Sequence, residues 1–388
     1  MHCHPRFSRV REVFDRHFAD GEELGAAFAV YLDGELVVDL WDGIADRHTG
    51  RRWERETPAF AYSCTKAITA AVLLQLVERG LVDVRAPVAD LWPEFAARGK
   101  AATTVEHLLS HQAGLPVVEE PVPVEEFEDH QAIAARLAGQ SPLWEPGSAH
   151  GYHALSYGFL VGEVIRRVTG KPVGELVAAE LAGPLELEMW VGAPDDVIAR
   201  TARLKAAERP RPGQIPPVTE AEKGRPQDLV AEMTRAALDP ESLMNQALGN
   251  PAMNLVKGGA NNPVILRAGW PAAGVVTTAR GLAGFYRALV GGDLVRPETL
   301  TEALRPRVEG PDRVLYLDTS FGLGFMLPSL MFLMPSRTAF GHSGMGGSIG
   351  MGDPGRGLAV GYVMNKMANA ITGNLRGLRL VQAVYDSL

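Results

Sequence analysis

The chain has 388 residues, enough for one large domain or two interlocked ones, and its 46% hydrophobic and 22% charged content is that of an ordinary globular protein rather than a disordered one. Its 38 Lys plus Arg against 46 Asp plus Glu give a net charge of −8 with no basic block, which argues against a nucleic-acid partner. Met1 to Phe7 lacks an apolar signal core and no run approaches the ~20 apolar residues of a membrane span, so a cytoplasmic protein with no membrane partner is expected, and Cys3 and Cys64 do not support a disulfide framework.

Phe7, Val10, Val13, Phe14 and Phe18 repeat at helical spacing over residues 7–20. Two β-prone runs, Gly25 to Leu32 and Glu35 to Gly43, flank Asp33-Gly34 and predict a tight hairpin. Tyr62-Ser63-Cys64-Thr65-Lys66 then opens an Ala- and Leu-rich run that ends at Glu78-Arg79-Gly80, predicting a buried helix with Ser63 at or beside its N-terminus. There the hydroxyl would stand among unpaired backbone N–H groups, with Lys66 one turn inward on the same face. Taken by themselves, Ser63 could be only an N-cap and Lys66 only a solvated residue. A cation is nevertheless disfavoured at that helix end, and Ser-x-x-Lys lacks the Glu or Gln of a capping box. Cys64, turned about 100° away, reads as a small buried hydrophobe.

Further along, Thr103 to Glu106 reads as a capping box for a short helix through Leu109. Trp144-Glu145-Pro146-Gly147 makes a turn, Tyr152 follows it, and a helix from about Leu155 closes at Gly170, with another over 173–181. Residues 193–250, where Arg203, Lys205, Glu208, Arg209 and Arg211 alternate with prolines, read as an insertion or flap. From Trp270 the pattern predicts a helix over 282–290, strands over 321–326, 338–351 and 357–364, and a terminal helix over 370–385. Strands at both ends with helices between imply an α/β plus α fold, with one antiparallel sheet flanked by helices and assembled from both chain ends. The α/β region would comprise 1–66 and 270–388, and an inserted, mainly helical region would span 67–269 with the variable insertion at about 193–250.

Serine hydrolysis needs a nucleophile, a proton acceptor and donors aimed at the oxyanion. Gly346-Gly347-Ser348-Ile349-Gly350 fits the nucleophile elbow of α/β-hydrolases, but that arrangement needs a histidine after the serine, and the last histidine here is His342. A serine–lysine pair is the better candidate, and Tyr152 is the best-placed tyrosine to share its proton, unless it is an ordinary buried tyrosine. His107 and His111 have i,i+4 spacing but no glutamate after the first, so no zinc site is read there. No metal or cofactor is expected.

Four motifs occur in order: Ser63-Cys64-Thr65-Lys66, Thr104 to Leu115, Pro146-Gly147 through Tyr152 to Ile165, and Gly341-His342-Ser343-Gly344. Together they resemble the serine β-lactamase-like superfamily, and within it most closely the family VIII carboxylesterases, relatives of class C β-lactamases. The resemblance runs from about Ala26 to the C-terminus and is weakest across 193–250. It implies an α/β sandwich and an all-helical region with the site between them. It also implies Ser63 as nucleophile, Lys66 as proton acceptor, Tyr152 as the first residue of Tyr-x-Asn, and the backbone N–H groups of Ser63 and Met345 as the oxyanion hole. His342, Ser343 and Gly344, standing where β-lactamases carry Lys-Thr-Gly, would contact substrate, as would His153 beside the tyrosine. Two departures stand out: His153-Ala154 follows Tyr152 in place of x-Asn, and His342 replaces a permanent cation. Both favour neutral esters, and the activity expected is cleavage of esters of small to medium acyl chains through an acyl-enzyme on Ser63. The alternatives are acyl transfer to an alcohol or amine, weak β-lactam hydrolysis, and a non-catalytic binding homologue. Which of Lys66 and Tyr152 is deprotonated stays open.

Overall fold

The computed structural model describes residues 1–207, 232, 233 and 235–388. Its strands are β1 (His2–Cys3), β2 (Gly25–Leu32), β3 (Glu35–Asp46), β4 (Arg51–Arg52), β5 (Ala59–Phe60), β6 (Met189–Val191), β7 (Val275–Thr277), β8 (Val308–Pro311), β9 (Asp318–Phe321), β10 (Phe340–Ser343), β11 (Ile349–Asp353) and β12 (Leu358–Met364). Among the described residues, the main sheet runs β1-β3-β2-β12-β11-β10 with β4 on β3, all antiparallel, so strands from both chain ends lie side by side as the pattern predicts. The β2–β3 hairpin turns at Asp33 (φ 48°) and Gly34 (φ 85°), the paired left-handed conformations that match strand twist.

Period-two alternation divides β2 between two cores. Ala26, Phe28 and Val30 face α1 (Ser8–Ala19) and the C-terminal helix Leu375–Tyr385, whereas Ala27 and Ala29 join the core that includes the helix Ala279–Gly291. Gly361 of β12 permits that last contact, since a Cβ there would lie 2.3 Å from the Ala279 carbonyl oxygen. Between the two sets of strands run α2 (Thr65–Glu78), α3 (Val105–Leu109), α4 (His130–Gly139) and α5 (Ser156–Thr169). Nearly every side chain of α2 is buried, as its unbroken apolar run requires of a central helix, and Gly80 (φ 69°) ends it.

Several boundaries differ from the sequence reading. The capping box joins Thr104 to His107, not Thr103 to Glu106: the Thr104 hydroxyl accepts from His107 N, and His107 Nδ1 accepts from Thr104 N. Glu106 instead pairs with Arg307 at 3.0 Å. The predicted strand over 321–326 stops at Phe321 because Gly324 takes φ 83°. That over 338–351 is two strands, β10 and β11, separated by the single turn Met345–Gly347. The terminal helix starts at Leu375, capped by Asn374. The described start of the expected flap is woven into the body: Ala202 N donates to Pro58 O (2.7 Å), Arg203 N to Ala45 O (2.8 Å) and Lys205 N to Asn365 O (2.6 Å). Glu208, Arg209 and Arg211 lie outside the described residues.

Candidate active site

Ser63 sits in a single helical turn, Tyr62–Cys64, that runs directly into α2. Three hydrogen bonds fix this turn. Ala61 N donates to Val275 O of β7 (2.9 Å), and the Thr65 hydroxyl donates to Tyr62 O (2.5 Å) while accepting from Val275 N (2.9 Å). Tyr62 is held at φ 45°, a costly conformation for a bulky residue, immediately before the serine. Ser63 itself remains half-buried, with Cys64 turned inward as predicted, its thiol 3.4 Å from His342 O and pushed up to about 12 by burial.

Lys66 is fully buried, and its Nζ lies 3.2 Å from Ser63 Oγ, 2.8 Å from Ala154 O and 3.1 Å from Ala272 O. Desolvation holds its pKa well below the usual lysine range. A neutral amine fits these three neighbours well: its two N–H bonds go to the two carbonyls, and its lone pair is left for the Ser63 hydroxyl proton. Tyr152 completes the group. Its ring lies beneath Lys66, with Nζ 4.6 Å from the centroid, and is stacked on Phe321. Burial raises the phenol's pKa, which the neighbouring Ser63 side chain only partly offsets, and so favours its protonated form.

Met345 and Ser63 occupy equivalent places, each among the first residues of a single helical turn whose amides precede the turn's own hydrogen bonds. The two turns are brought together by Gly344, where a Cβ would lie 2.3 Å from Ala61 O. Gly344 therefore matters at least for its missing side chain. Gly344→Ala is expected to part the two turns and lower kcat by about 100- to 1000-fold, the range for loss of an oxyanion donor. Steady-state kinetics beside a thermal melt tests this, and an unchanged kcat in a folded variant would refute it.

His342 is buried with Nδ1 2.8 Å from Ser343 O and Nε2 without a partner among the described residues. Burial, then the nearby Lys66 amine, push its pKa down to about 3, so it is neutral at the position where the resemblance to β-lactamases implies a lysine cation. Ser343 is buried on the same strand. His153 is not free to contact substrate, which corrects that expectation: Nδ1 donates to Gly151 O (2.6 Å) and Nε2 accepts from Leu115 N (3.0 Å), leaving no polar atom available. Ser348, the serine of the rejected elbow, has a buried hydroxyl with no partner among the described residues and stands at the head of β11, in a strand-turn-strand context.

Comparison with known proteins agrees with this architecture. Residues 10–383 match the beta-lactamase family. The chain belongs to the beta-lactamase family. Within reach of it is the esterase/beta-lactamase LipL of Mycobacterium tuberculosis, 36% identical over 381 residues, which cover 95% of this chain and 83% of LipL. A family VIII carboxylesterase crystal structure superposes with a TM-score of 0.87 at 36% identity, covering 100% of this chain and 99% of that one. A penicillin-binding protein homologue from Caulobacter crescentus follows at 0.84 and 38% identity, again covering 100% of this chain and 99% of that one. Among the described residues, no helix is long and apolar enough to cross a membrane.

Two residues around the tyrosine escaped the sequence reading. His111, in the left-handed region at φ 62°, accepts from His153 N through Nδ1 (3.1 Å) and from Gly151 N through its carbonyl (3.1 Å). In the sequence it is weighed only against a zinc site and given no place beside Tyr152. Asp312 accepts from Tyr152 N at 3.0 Å. His111 lies inside one of the ordered motifs and could have been suspected there, whereas Pro311-Asp312 carries only a turn signal.

Proposed function

We propose that this member of the beta-lactamase family is a carboxylesterase acting through an acyl-enzyme on Ser63. One observation carries the reading: a fully buried lysine amine whose two neighbouring carbonyls can take both N–H bonds of its neutral form, 3.2 Å from a half-exposed serine hydroxyl. Lys66 takes the Ser63 proton as Oγ attacks the ester carbonyl, and the backbone N–H groups of Ser63 and Met345 receive the oxyanion. As the tetrahedral intermediate collapses, the Tyr152 phenol gives its proton to the leaving alkoxide and is reprotonated from Lys66, which restores the neutral amine. Water then cleaves the acyl-enzyme to the carboxylic acid by the same relay. The 36% identity to an esterase/beta-lactamase and to a family VIII carboxylesterase supports the ester substrate. The neutral His342 supports uncharged acyl groups over substrates that carry a carboxylate.

The test is turnover of p-nitrophenyl acetate, butyrate and octanoate against a chromogenic cephalosporin. Ester kcat/KM is expected to exceed that for the cephalosporin by about 100-fold or more, since a buried site without its matching cation discriminates strongly against a charged partner. Comparable turnover of both would overturn the ester preference. Product partitioning to an added alcohol in preference to water would point instead to acyl transfer from the same intermediate.

A further inference from the structure

Asp312 stands at the tip of the β8–β9 hairpin, a segment distant in sequence from every motif of the site. Its carboxylate is buried and meets four donors. Oδ1 accepts from Val314 N (2.8 Å), Leu315 N (2.9 Å) and Tyr152 N (3.0 Å), and Oδ2 accepts from the Thr319 hydroxyl (3.2 Å). Thr319 Oγ1, its proton committed to Asp312, accepts in turn from His150 Nε2 at 2.9 Å, and Arg313 N donates to His150 O at 3.2 Å. The hairpin tip is thus tied to the backbone on both sides of Gly151. Gly151 itself leaves room for nothing more, since a Cβ there would lie 2.8 Å from Trp144 and 3.0 Å from Val314.

The bonds to His111 and the two ring nitrogens of His153 fix residues 151 and 153. Tyr152's own amide goes to Asp312 alone among the described groups. Phe321, which stacks on the Tyr152 ring, closes the same hairpin, so main chain and ring of the tyrosine are both aligned by one element. We propose that Asp312 is the positioning residue of Tyr152, holding its phenol against Ser63 and Lys66 through a single shared carboxylate oxygen. This rests on the reading of Tyr152 as the proton donor. Asp312's charge also adds to the effects keeping the phenol protonated.

A double-mutant cycle tests it, with turnover of p-nitrophenyl butyrate and the rate of Ser63 labelling by a fluorophosphonate probe as readouts, and circular dichroism as the check on folding. Asp312→Ala is expected to lower kcat by about 10- to 100-fold with KM changed less than about 3-fold, the scale of a misplaced reacting group. In a Tyr152→Phe background the same substitution is expected to cost less than about 3-fold, because the group it positions is already gone. Asp312→Asn keeps an acceptor at Oδ1, with Thr319 free to rotate and accept from the new amide, and is expected to stay within about 5-fold of wild type. Equal losses from Asp312→Ala in both backgrounds would overturn the proposal. So would an Asp312→Asn variant as slow as Asp312→Ala, or, should Asp312→Ala not fold, a folded Asp312→Asn that has lost turnover. Full turnover by Tyr152→Phe would instead remove the tyrosine's role itself.

Discussion

Ser63→Ala is expected to lower ester kcat by about 10,000-fold or more, since removing a nucleophile leaves only binding and oxyanion stabilisation. The prediction is specific to this serine. Ser348→Ala is expected to retain wild-type turnover, because its hydroxyl is buried and has no hydrogen-bond partner among the described residues. Cys64 is also excluded as a substitute nucleophile, since its thiol faces the His342 carbonyl and burial keeps it protonated. Intact-mass detection of a fluorophosphonate adduct on wild type and on Ser348→Ala, but not on Ser63→Ala, accompanies the kinetics. Ester turnover surviving in Ser63→Ala would end the Ser-Lys-Tyr reading.

Lys66→Met carries the second large effect, about 1000-fold or more in kcat, from loss of the base proposed to activate the serine. It also has a signature in stability. Because the folded pKa of Lys66 is depressed, the unfolded chain binds a proton that the folded chain does not, between the folded value and the ordinary lysine value. Over that window stability rises with pH, and below the folded pKa the contribution is flat. The melting temperature of wild type relative to Lys66→Met is therefore expected to increase from pH 6 to pH 9. The activity of wild type should fall on acidification through the same depressed pKa, as the amine takes up its proton. Parallel melting curves for the two proteins across this range would show that Lys66 is charged when folded.

The elements legible in the chain were those whose signals are local. The Asp33-Gly34 hairpin, the apolar run of α2 and the Gly80 stop each rest on the conformational preferences of a few adjacent residues. Where the reading slipped, a distant partner decided. Glu106 fits a capping box by pattern, but Arg307, 201 positions away, takes its carboxylate, and His107 caps the helix instead. The run 338–351 is apolar and glycine-rich enough for one strand, yet the chain turns at Gly346, φ 78°, just after Gly344 packs against the Ala61 carbonyl. His153 was expected at the substrate because it adjoins Tyr152, but an adjacent residue points elsewhere, and both its nitrogens are used by backbone.

The sequence by itself determined the order of the motifs, the helix that carries Lys66 with Ser63 just before its start, and the sheet built from both chain ends. The protonation states were decided only in the tertiary structure. Lys66, itself fully buried, meets carbonyls 88 and 206 positions away, and Tyr152 takes its main-chain anchor from a carboxylate 160 positions away. Desolvation and pair interactions depend on what the fold assembles around a group, so residues far apart in the chain set whether an amine is a base and whether a phenol is an acid.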